Sequence, residues 1–314
     1  MYRATFTGRR DRALFPLSID RVSSAVRVTE ALRAAIDRLR ATSPTPRLDA
    51  EVLLAHVVGR ERSWVLGHPE AEMDTTAFDD VVERRAAGEP VAYIRGFKEW
   101  HSLRIRTDQR ALIPRPETEL LADAAITEIR ERLERGPLVA WEVATGSGAV
   151  AIAIAIAHRD ALEGGRLQMI ATDISDDALT LAAENLDAHD VSGAVTLERA
   201  DLLAPAGGAM PRPGVIVANL PYVSSAEVDE RRGSLGFEPR VALDGGPDGL
   251  TLLRRLFADL PERAAPGATV LLELGMDQVE AIRSMAPAGA SVSVVPDLAG
   301  LDRVVRIGLP DSSP

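Results

Sequence analysis

Cysteine is absent from the sequence, which excludes disulfide bonds, thiolate metal sites and a cysteine nucleophile. The five histidines are scattered without the spacing of metal ligands, so we expect no metal site. No uninterrupted apolar run reaches the ~18 residues of a membrane-spanning helix. The N-terminal arginines are not followed by the apolar segment of a secretory signal. We therefore expect a cytoplasmic protein, and we take it to be a monomer.

An excess of positive charge is also missing, since the formal net charge is −11 at pH 7. Residues 1–90 carry equal numbers of basic and acidic side chains, so all of this negative charge belongs to residues 91–314. Proteins that bind nucleic acid tightly usually present a basic surface to the phosphates. The charge balance therefore disfavours direct nucleic-acid binding, although it is compatible with a local basic groove.

Changes in composition and periodicity divide the chain into four predicted parts. Residues 1–25 show no periodicity and are interpreted as a disordered extension. Residues 26–95 predict a small helical domain, and residues 96–115 predict a β-hairpin linker. Residues 116–314 carry the motifs that point to chemistry, and they predict a larger α/β domain.

The helical domain has three predicted helices with recognisable ends. Thr29 is the predicted N-cap of the first helix, and Gly59 and Gly88 are the predicted stops of the other two. The turn of the hairpin is expected at residues 107–109. The three helices are predicted over residues 29–40, 48–58 and 74–87.

Beyond an initial helix over residues 117–134, apolar β-type segments alternate with helical segments. This alternation is typical of a largely parallel sheet with helices on both faces, in which ligands bind at the carboxyl ends of the strands. The strands are predicted over 138–143, 168–173, 194–199, 214–218, 268–273, 291–295 and 303–307. The helices are predicted over 148–158, 176–188, 249–259 and 276–284.

The first candidate site is the glycine-rich turn EVATGSG at residues 142–148, between a predicted strand and a predicted helix. Gly146 and Gly148 allow a tight turn and a close approach of the backbone to a ligand. The helix that follows begins with unpaired N–H groups. Such turns bind dinucleotides as well as S-adenosylmethionine, and some bind no ligand at all. The dinucleotide pattern G-x-G-x-x-G is not met, which disfavours a nicotinamide cofactor.

Asp173 ends the next predicted strand, 25 residues after Gly148. A carboxylate at this place can accept hydrogen bonds from both hydroxyls of a ribose. The alternative is that Asp173 caps the following helix, a role that Asp176 could also fill. The glycine turn and Asp173 together favour a nucleoside-containing ligand without identifying it.

The third candidate is the segment Asn219, Leu220, Pro221 and Tyr222, directly after a predicted strand. The Asn219 side-chain oxygen and the Leu220 carbonyl can accept the two N–H bonds of an amide or amine. They would hold its nitrogen in line with a methyl donor. Pro221 stiffens the loop, and Tyr222 can pack on a planar acceptor. Standing alone, the segment is also compatible with an ordinary turn.

The order of these motifs resembles the HemK/PrmC-type release-factor glutamine methyltransferases over residues 28–308. The most specific shared segment is LIPRPETELL at residues 112–121, which precedes the catalytic domain in that family. Further resemblance lies in the glycine turn, Asp173, residues 219–222, EPRVALDGGPDG at 238–249, RLDAEVLL at 47–54 and GEPVAYI at 88–94.

The resemblance implies a class I methyltransferase fold, with a Rossmann-like, mostly parallel sheet, a small N-terminal helical domain and a β-hairpin linker. It implies S-adenosylmethionine as cofactor and the glutamine of the Gly-Gly-Gln loop of class I peptide chain release factors as acceptor, docked by the helical domain. The implied cofactor-binding residues are Ala144, Thr145, Gly146, Ser147, Gly148, Asp173 at the ribose, Leu202 at the adenine, and Asn219. The implied acceptor-binding residues are Asn219, Leu220, Pro221 and Tyr222.

Two positions depart from the family pattern, since Leu220 replaces a proline and Ala144 replaces a glycine. Asn-Leu-Pro-Tyr also resembles the motif of adenine N6-methyltransferases that act on rRNA. Three hypotheses therefore stay open: glutamine methylation, methylation of a nucleic-acid base or of another amide or amine, and a binding module without activity. Among other residues, Glu273 at a predicted strand end is interpreted as pairing with a neighbour, with a role in shaping the pocket as the alternative. Arg115 fits packing and cofactor binding equally well.

Overall fold

The structure is a computed structural model that describes residues 25–231, 233–275, 278–297 and 299–311. The predicted extension, residues 1–25, lies outside the described residues except for its last residue. The division of the chain at residues 95 and 115 stays a prediction.

A helical unit begins the described chain. The helices predicted from periodicity are present, whereas the two helices over residues 62–67 and 91–95 were missed because each spans too few residues to show a period. The pair of short antiparallel strands β1 and β2 was also missed. The elements are β1 (Val26–Arg27), α1 (Val28–Leu39), α2 (Pro46–Val57), α3 (Arg62–Gly67), β2 (Glu72–Met73), α4 (Thr76–Ala86) and α5 (Val91–Arg95).

The ends of these helices were predicted with mixed success. Gly59 and Gly88 follow α2 and α4 with φ of +64° and +101°, the left-handed conformation that glycine adopts at low cost. The prediction that Thr29 caps α1 was wrong. The helix begins one residue earlier, and the Thr29 hydroxyl donates to the Pro69 carbonyl at 2.7 Å.

The predicted hairpin is formed by the antiparallel strands β3 (Phe97–Trp100) and β4 (Leu103–Arg106). Its turn lies at His101 and Ser102, so the prediction at residues 107–109 was wrong. Both turn residues have positive φ, 50° and 59°, which suits the twist of a two-residue hairpin turn. No local signal marks this turn, because neither residue is the glycine or asparagine that usually occupies it.

The mostly parallel α/β fold predicted for the rest of the chain is confirmed. Eight strands form one sheet in the order β11-β12-β10-β9-β5-β6-β7-β8, and β12 runs antiparallel to both of its neighbours. The strands are β5 (Leu138–Val143), β6 (Leu167–Asp173), β7 (Val195–Asp201), β8 (Ala204–Pro205), β9 (Val215–Ala218), β10 (Thr269–Glu273), β11 (Ser291–Pro296) and β12 (Asp302–Gly308).

Helices cover both faces of this sheet, and each face has its own apolar core. The apolar helix α7 packs on one face, and the amphipathic helix α11 packs on the other. The helices are α6 (Thr118–Leu133), α7 (Ala149–Ala157), α8 (Arg159–Glu163), α9 (Asp176–Ala188), α10 (Ser225–Glu230), α11 (Thr251–Arg263) and α12 (Val279–Met285). The central strands β5, β6, β9 and β10 are parallel, so their carboxyl ends meet at one edge of the sheet.

Two features are absent from the described residues. None of their helices is long and apolar enough to span a membrane. None of their histidine, aspartate or glutamate side chains cluster in a way that could hold a metal ion.

Candidate active site

The glycine-rich turn joins β5 to α7 through left-handed backbone. Ala144, Gly146 and Gly148 have φ of +60°, +55° and +80°. At Gly148 a Cβ atom would lie 3.2 Å from the Ala182 Cβ, so this glycine lets α7 pack against α9. The Ser147 carbonyl accepts a hydrogen bond from Asn185 on α9 at 2.9 Å, which holds the turn from the same side.

A buried carboxyl group lies beneath the turn. Glu142, at the end of β5, accepts a hydrogen bond from the Thr145 hydroxyl at 2.6 Å. Burial raises the pKa of Glu142 to about 8, against the opposing effect of the hydrogen bonds from Thr145 and the Ala151 backbone. Glu142 thus stiffens the turn from inside the protein.

Asp173, at the end of β6, also bonds to the turn. Its Oδ2 accepts from the Gly146 N–H at 2.9 Å, and its Oδ1 accepts from the Ser175 N–H at 3.0 Å. Burial raises the pKa of Asp173, while these backbone hydrogen bonds act in the opposite direction. The N-cap of α9 is Ser175, whose side chain accepts from Ala178 N. Asp173 is therefore not needed as the helix cap, which was the alternative role open to it.

A cavity of ≈ 560 Å³, called here the large cavity, opens over the turn. This volume falls within the usual range of small-molecule sites, about 300–1,000 Å³. The cavity stays open beside Ala144. Of the predicted cofactor residues, Gly148 does not line it. The predicted residues that do line it are Ala144, Thr145, Gly146, Ser147, Asp173, Leu202, Asn219, Leu220 and Pro221.

One end of the large cavity is apolar. Leu202 follows β7, is buried and has φ of +55°. Ile174 and Val241 also line the cavity and are 46% and 52% exposed. Large apolar side chains exposed at a cavity wall offer flat contact surface to a ring system. This apolar end lies between the carboxyl ends of β6 and β7, next to Asp173.

A second cavity of ≈ 340 Å³, called here the small cavity, adjoins the large one. Six residues line both cavities: Leu112, Arg115, Asn219, Leu220, Pro221 and Ala242. Tyr222 lines the small cavity but not the large one. The segment Asn219 to Tyr222 therefore stands at the boundary between two connected spaces.

Two side chains lie behind Asn219, of which the sequence analysis named Glu273 and missed Thr118. Thr118, the first residue of α6, accepts a hydrogen bond from Asn219 Nδ2 at 3.2 Å. Glu273, at the end of β10, is buried, and its Oε2 has no hydrogen-bond partner within the described part of the chain. Its interpretation as a locally paired residue stays a prediction, because only this one of its two carboxyl oxygens is without a partner in that part of the chain. The only available signal was its place at the end of a predicted strand.

Each arginine at the wall of the large cavity is paired with a carboxylate. Glu238 is almost fully buried and binds Arg115 Nη2 at 2.6 Å, while its second oxygen accepts from the Ile113 N–H. The further pairs are Arg110 with Asp108 and Glu184, Arg240 with Asp229 and Asp244, and Arg255 with Asp201. The wall is therefore nearly neutral.

The sheet order, the glycine turn over an open cavity and the strand-end aspartate together define a class I S-adenosylmethionine-dependent methyltransferase. The family model for the PrmC N-terminal domain matches residues 30–96. The release factor glutamine methyltransferase of Moorella thermoacetica is 39% identical over 282 residues, which cover 87% of this chain and 95% of that protein. The chain belongs to the release factor glutamine methyltransferase family.

A second relative matches to a similar extent, and a solved structure matches a smaller part of the chain. The release factor glutamine methyltransferase of Deinococcus radiodurans is 36% identical and covers 90% of this chain and 98% of that protein. Among solved structures, the ribosomal protein L11 methylase of Lactobacillus delbrueckii subsp. bulgaricus matches 66% of this chain and 85% of that chain. That match has a TM-score of 0.44 and 24% identity.

Proposed function

We propose that this protein methylates the N5 atom of a glutamine side chain, in the Gly-Gly-Gln loop of class I peptide chain release factors. The observation that carries the proposal is the position of Asn219 and Leu220, which line both cavities. A donor in the large cavity and a planar amide in the small cavity would meet at these two residues. The names of the curated relatives support release factors as the acceptor.

The residues of the large cavity fit S-adenosylmethionine. Asp173 provides a buried carboxylate for the ribose hydroxyls, and Leu202 with the exposed side chain of Ile174 offers apolar surface for the adenine. The backbone of residues 144–147 approaches the cavity closely enough to contact the methionine part. When bound, S-adenosylmethionine supplies a methyl group on a positively charged sulfur, which keeps the electrons of the C–S bond.

The acceptor nitrogen needs orientation more than it needs a base, because the lone pair of an amide is delocalised into its carbonyl. The Asn219 side-chain oxygen and the Leu220 carbonyl would each accept one N–H bond of the glutamine amide. This holds the nitrogen at the boundary of the two cavities, where positioning lowers the barrier. Once the C–N bond has formed, the nitrogen releases one proton to water.

Leu220 can serve in this role although the family usually has proline there. Its backbone carbonyl is the group required, and its side chain is 3% exposed within the apolar core beneath the sheet. The leucine side chain therefore packs away from the acceptor.

Charge argues against a nucleic-acid base as the acceptor. Each arginine at the wall of the large cavity is neutralised by a neighbouring carboxylate. Nucleic-acid binding depends on cations that displace counterions from phosphates. A glycine-rich protein loop carries no phosphates and can bind without such cations.

The remaining parts of the proposal concern the partner and its location. We assign docking of the release factor to the helical residues 26–95, which cover most of the segment matched by the family model. The enzyme would act as a monomer in the cytoplasm, where release factors work. The contact between Arg85 Nη1 and Ser234 Oγ, 3.1 Å long, would connect a docked partner to the loop that borders the small cavity.

The test is mass spectrometry of a purified class I release factor after incubation with this protein and S-adenosylmethionine. We expect the mass of one methyl group on the glutamine of the Gly-Gly-Gln peptide. The Asn219→Ala variant should lose this product while it still binds S-adenosylmethionine. Methylation of RNA and not of the release factor would refute the proposal.

A further inference from the structure

Asn219 can present either end of its amide to an acceptor, and only one end is useful. The proposed reaction needs the oxygen Oδ1 at the boundary of the cavities and the nitrogen Nδ2 turned away. A rotation of the amide by half a turn would exchange the two at little steric cost. Some feature of the protein must therefore decide which end points to the acceptor.

The groups next to Asn219 come from two neighbouring elements. In the parallel pair of β9 and β10, Ala218 lies opposite Leu272, so the next residues, Asn219 and Glu273, are also neighbours. Thr118, at the start of α6, completes the group, and Asn219 Nδ2 donates to its hydroxyl at 3.2 Å. No donor in the described residues bonds to Asn219 Oδ1, which leaves the oxygen as the free end of the amide.

Glu273 differs from the other two because an ionised carboxylate can only accept hydrogen bonds. A threonine hydroxyl can donate or accept, so Thr118 alone would tolerate both orientations of the amide. A hydroxyl that donates its own proton to a neighbouring carboxylate can act towards an amide only as an acceptor. Its oxygen lone pairs are then left to accept from Asn219 Nδ2.

We propose that Glu273 is a positioning residue that acts through Thr118 to fix the amide of Asn219 with its oxygen towards the acceptor. Glu273 touches neither the donor nor the acceptor in this arrangement. The inference rests on the proposed function, because the orientation matters only if Asn219 accepts a bond from the acceptor nitrogen.

The burial of Glu273 supports this role. Glu273 is only 6% exposed, yet one of its carboxyl oxygens has no partner in the described residues. Burial raises the pKa of Glu273, while Thr118 and Asn219 favour its charged form. A poorly compensated buried carboxyl group is costly, and such groups occur mainly where they serve the chemistry.

Protonation of Glu273 would reverse the direction of the hydrogen bonds. A carboxylic acid can donate to Thr118, whose own proton is then free to bond Asn219 Oδ1. The other titratable or charged groups that influence this carboxyl or its neighbour Tyr222 are Glu117, Arg115 and Arg303. With saturating S-adenosylmethionine, we expect kcat to rise with pH as Glu273 ionises, and we expect this rise to be absent in Glu273→Gln.

The experiment compares Glu273→Gln, Thr118→Val and Thr118→Ser with the wild-type protein on the release factor. Glu273→Gln and Thr118→Val should each lower kcat by about 10- to 100-fold, the usual result of a misplaced reacting group. Thr118→Ser keeps the hydroxyl and should retain kcat within about threefold. The affinity for S-adenosylmethionine, measured by calorimetry, should stay unchanged and also reports that each variant is folded.

A second measurement does not depend on activity. In ¹⁵N-labelled protein, the side-chain amide signal of Asn219 can be assigned by its loss in Asn219→Ala. Its protons should exchange slowly with water in the wild type and faster in Glu273→Gln and Thr118→Val. If the wild type methylates the release factor but both variants keep its kcat, the role of Glu273 is refuted. If the wild type does not methylate it, the proposed function fails, and unchanged exchange in the variants would still refute the orientation.

Discussion

The carboxylate of Asp173 accepts a hydrogen bond from the backbone N–H of Gly146 at 2.9 Å. This bond joins the carboxyl end of β6 to the glycine turn that follows β5, so the proposed ribose-binding group and the proposed cofactor loop form one unit. The Ser175 N–H holds the other oxygen of the same carboxylate. Asp173 is thereby fixed at the cavity before any ligand enters.

Replacement of Asp173 with asparagine should weaken the binding of S-adenosylmethionine. Hydrogen bonds to a charged acceptor contribute about 1.5–3 kcal/mol, so we expect the Kd to rise by about 10- to 100-fold. Calorimetry measures this change, and Asp177→Asn on the exposed surface of α9 is the matched control. If the two variants bind S-adenosylmethionine with equal affinity, Asp173 does not contribute to its binding.

The same carboxylate predicts how binding depends on pH. Because burial raises the pKa of Asp173, the ionised form that accepts ribose hydroxyls is lost as pH falls through that raised value. Affinity for S-adenosylmethionine should therefore decrease towards acidic pH in the wild type. The decrease should be absent in Asp173→Asn, and its persistence there would assign it to another group.

Gly148→Ala should destabilise the protein through backbone strain and through overpacking. The variant Gly59→Ala measures the backbone strain by itself. Gly59 and Gly148 both have positive φ, but only Gly148 has a neighbour, Ala182, within 3.4 Å of an added Cβ. Gly59→Ala should cost about 1 kcal/mol from the backbone alone. Gly148→Ala should cost about 1–3 kcal/mol more because the added methyl group overpacks the contact of α7 with α9. Urea unfolding measures both, and equal costs would contradict the packing role.

Ala144→Gly should stabilise the protein or leave its stability unchanged. Ala144 has φ of +60°, a conformation that costs a residue with a Cβ about 1 kcal/mol. Relief of this strain should raise the free energy of unfolding by up to about 1 kcal/mol, reduced by the greater freedom of glycine in the unfolded chain. The control is Ala153→Gly inside α7, which should lower the free energy of unfolding. A loss of stability in Ala144→Gly equal to that of the control would contradict this account.

Glu128 should make stability depend on pH. Burial alone would raise its pKa, but hydrogen bonds from Arg306, Thr269 and Arg132 outweigh burial and bring the pKa to about 2. A carboxyl group with a lowered pKa stabilises the fold above its unfolded value, and this stability is lost as pH falls towards 2. The effect is at most about 3 kcal/mol, because solvent screens part of the interaction.

Unfolding by urea between pH 6 and pH 3 tests this expectation. The wild type should lose stability as the pH falls below the ordinary range of a glutamate, whereas Glu128→Gln should be less stable at pH 6 and should change less. Glu131, on the same helix and exposed, provides the control variant Glu131→Gln. An identical pH profile for wild type and Glu128→Gln would contradict the role of this buried network.

The sequence predicted the longer strands and helices of the α/β domain because each has a period or a run of its own. The short elements α8, β8 and α10 were missed because each spans six residues or fewer. The glycine turn and the strand ends at Asp173 and Asn219 could also be recognised from the local sequence. The hairpin turn was misplaced because His101 and Ser102 adopt positive φ without the residue types that signal it. Their conformation follows from the pairing of β3 with β4.

The sequence by itself determined the order of strands and helices, the family resemblance and the residues that end the central strands. Only the tertiary structure decided that Gly148 contacts α9, that Tyr222 lines the small cavity but not the large one, and that Glu273 lies beside Asn219. Periodicity reports which face of a segment is apolar, and it carries no record of which strand lies next to which. Parallel pairing of β9 with β10 is what brings together two residues 54 positions apart in the chain, and with them the group that we infer to orient the acceptor.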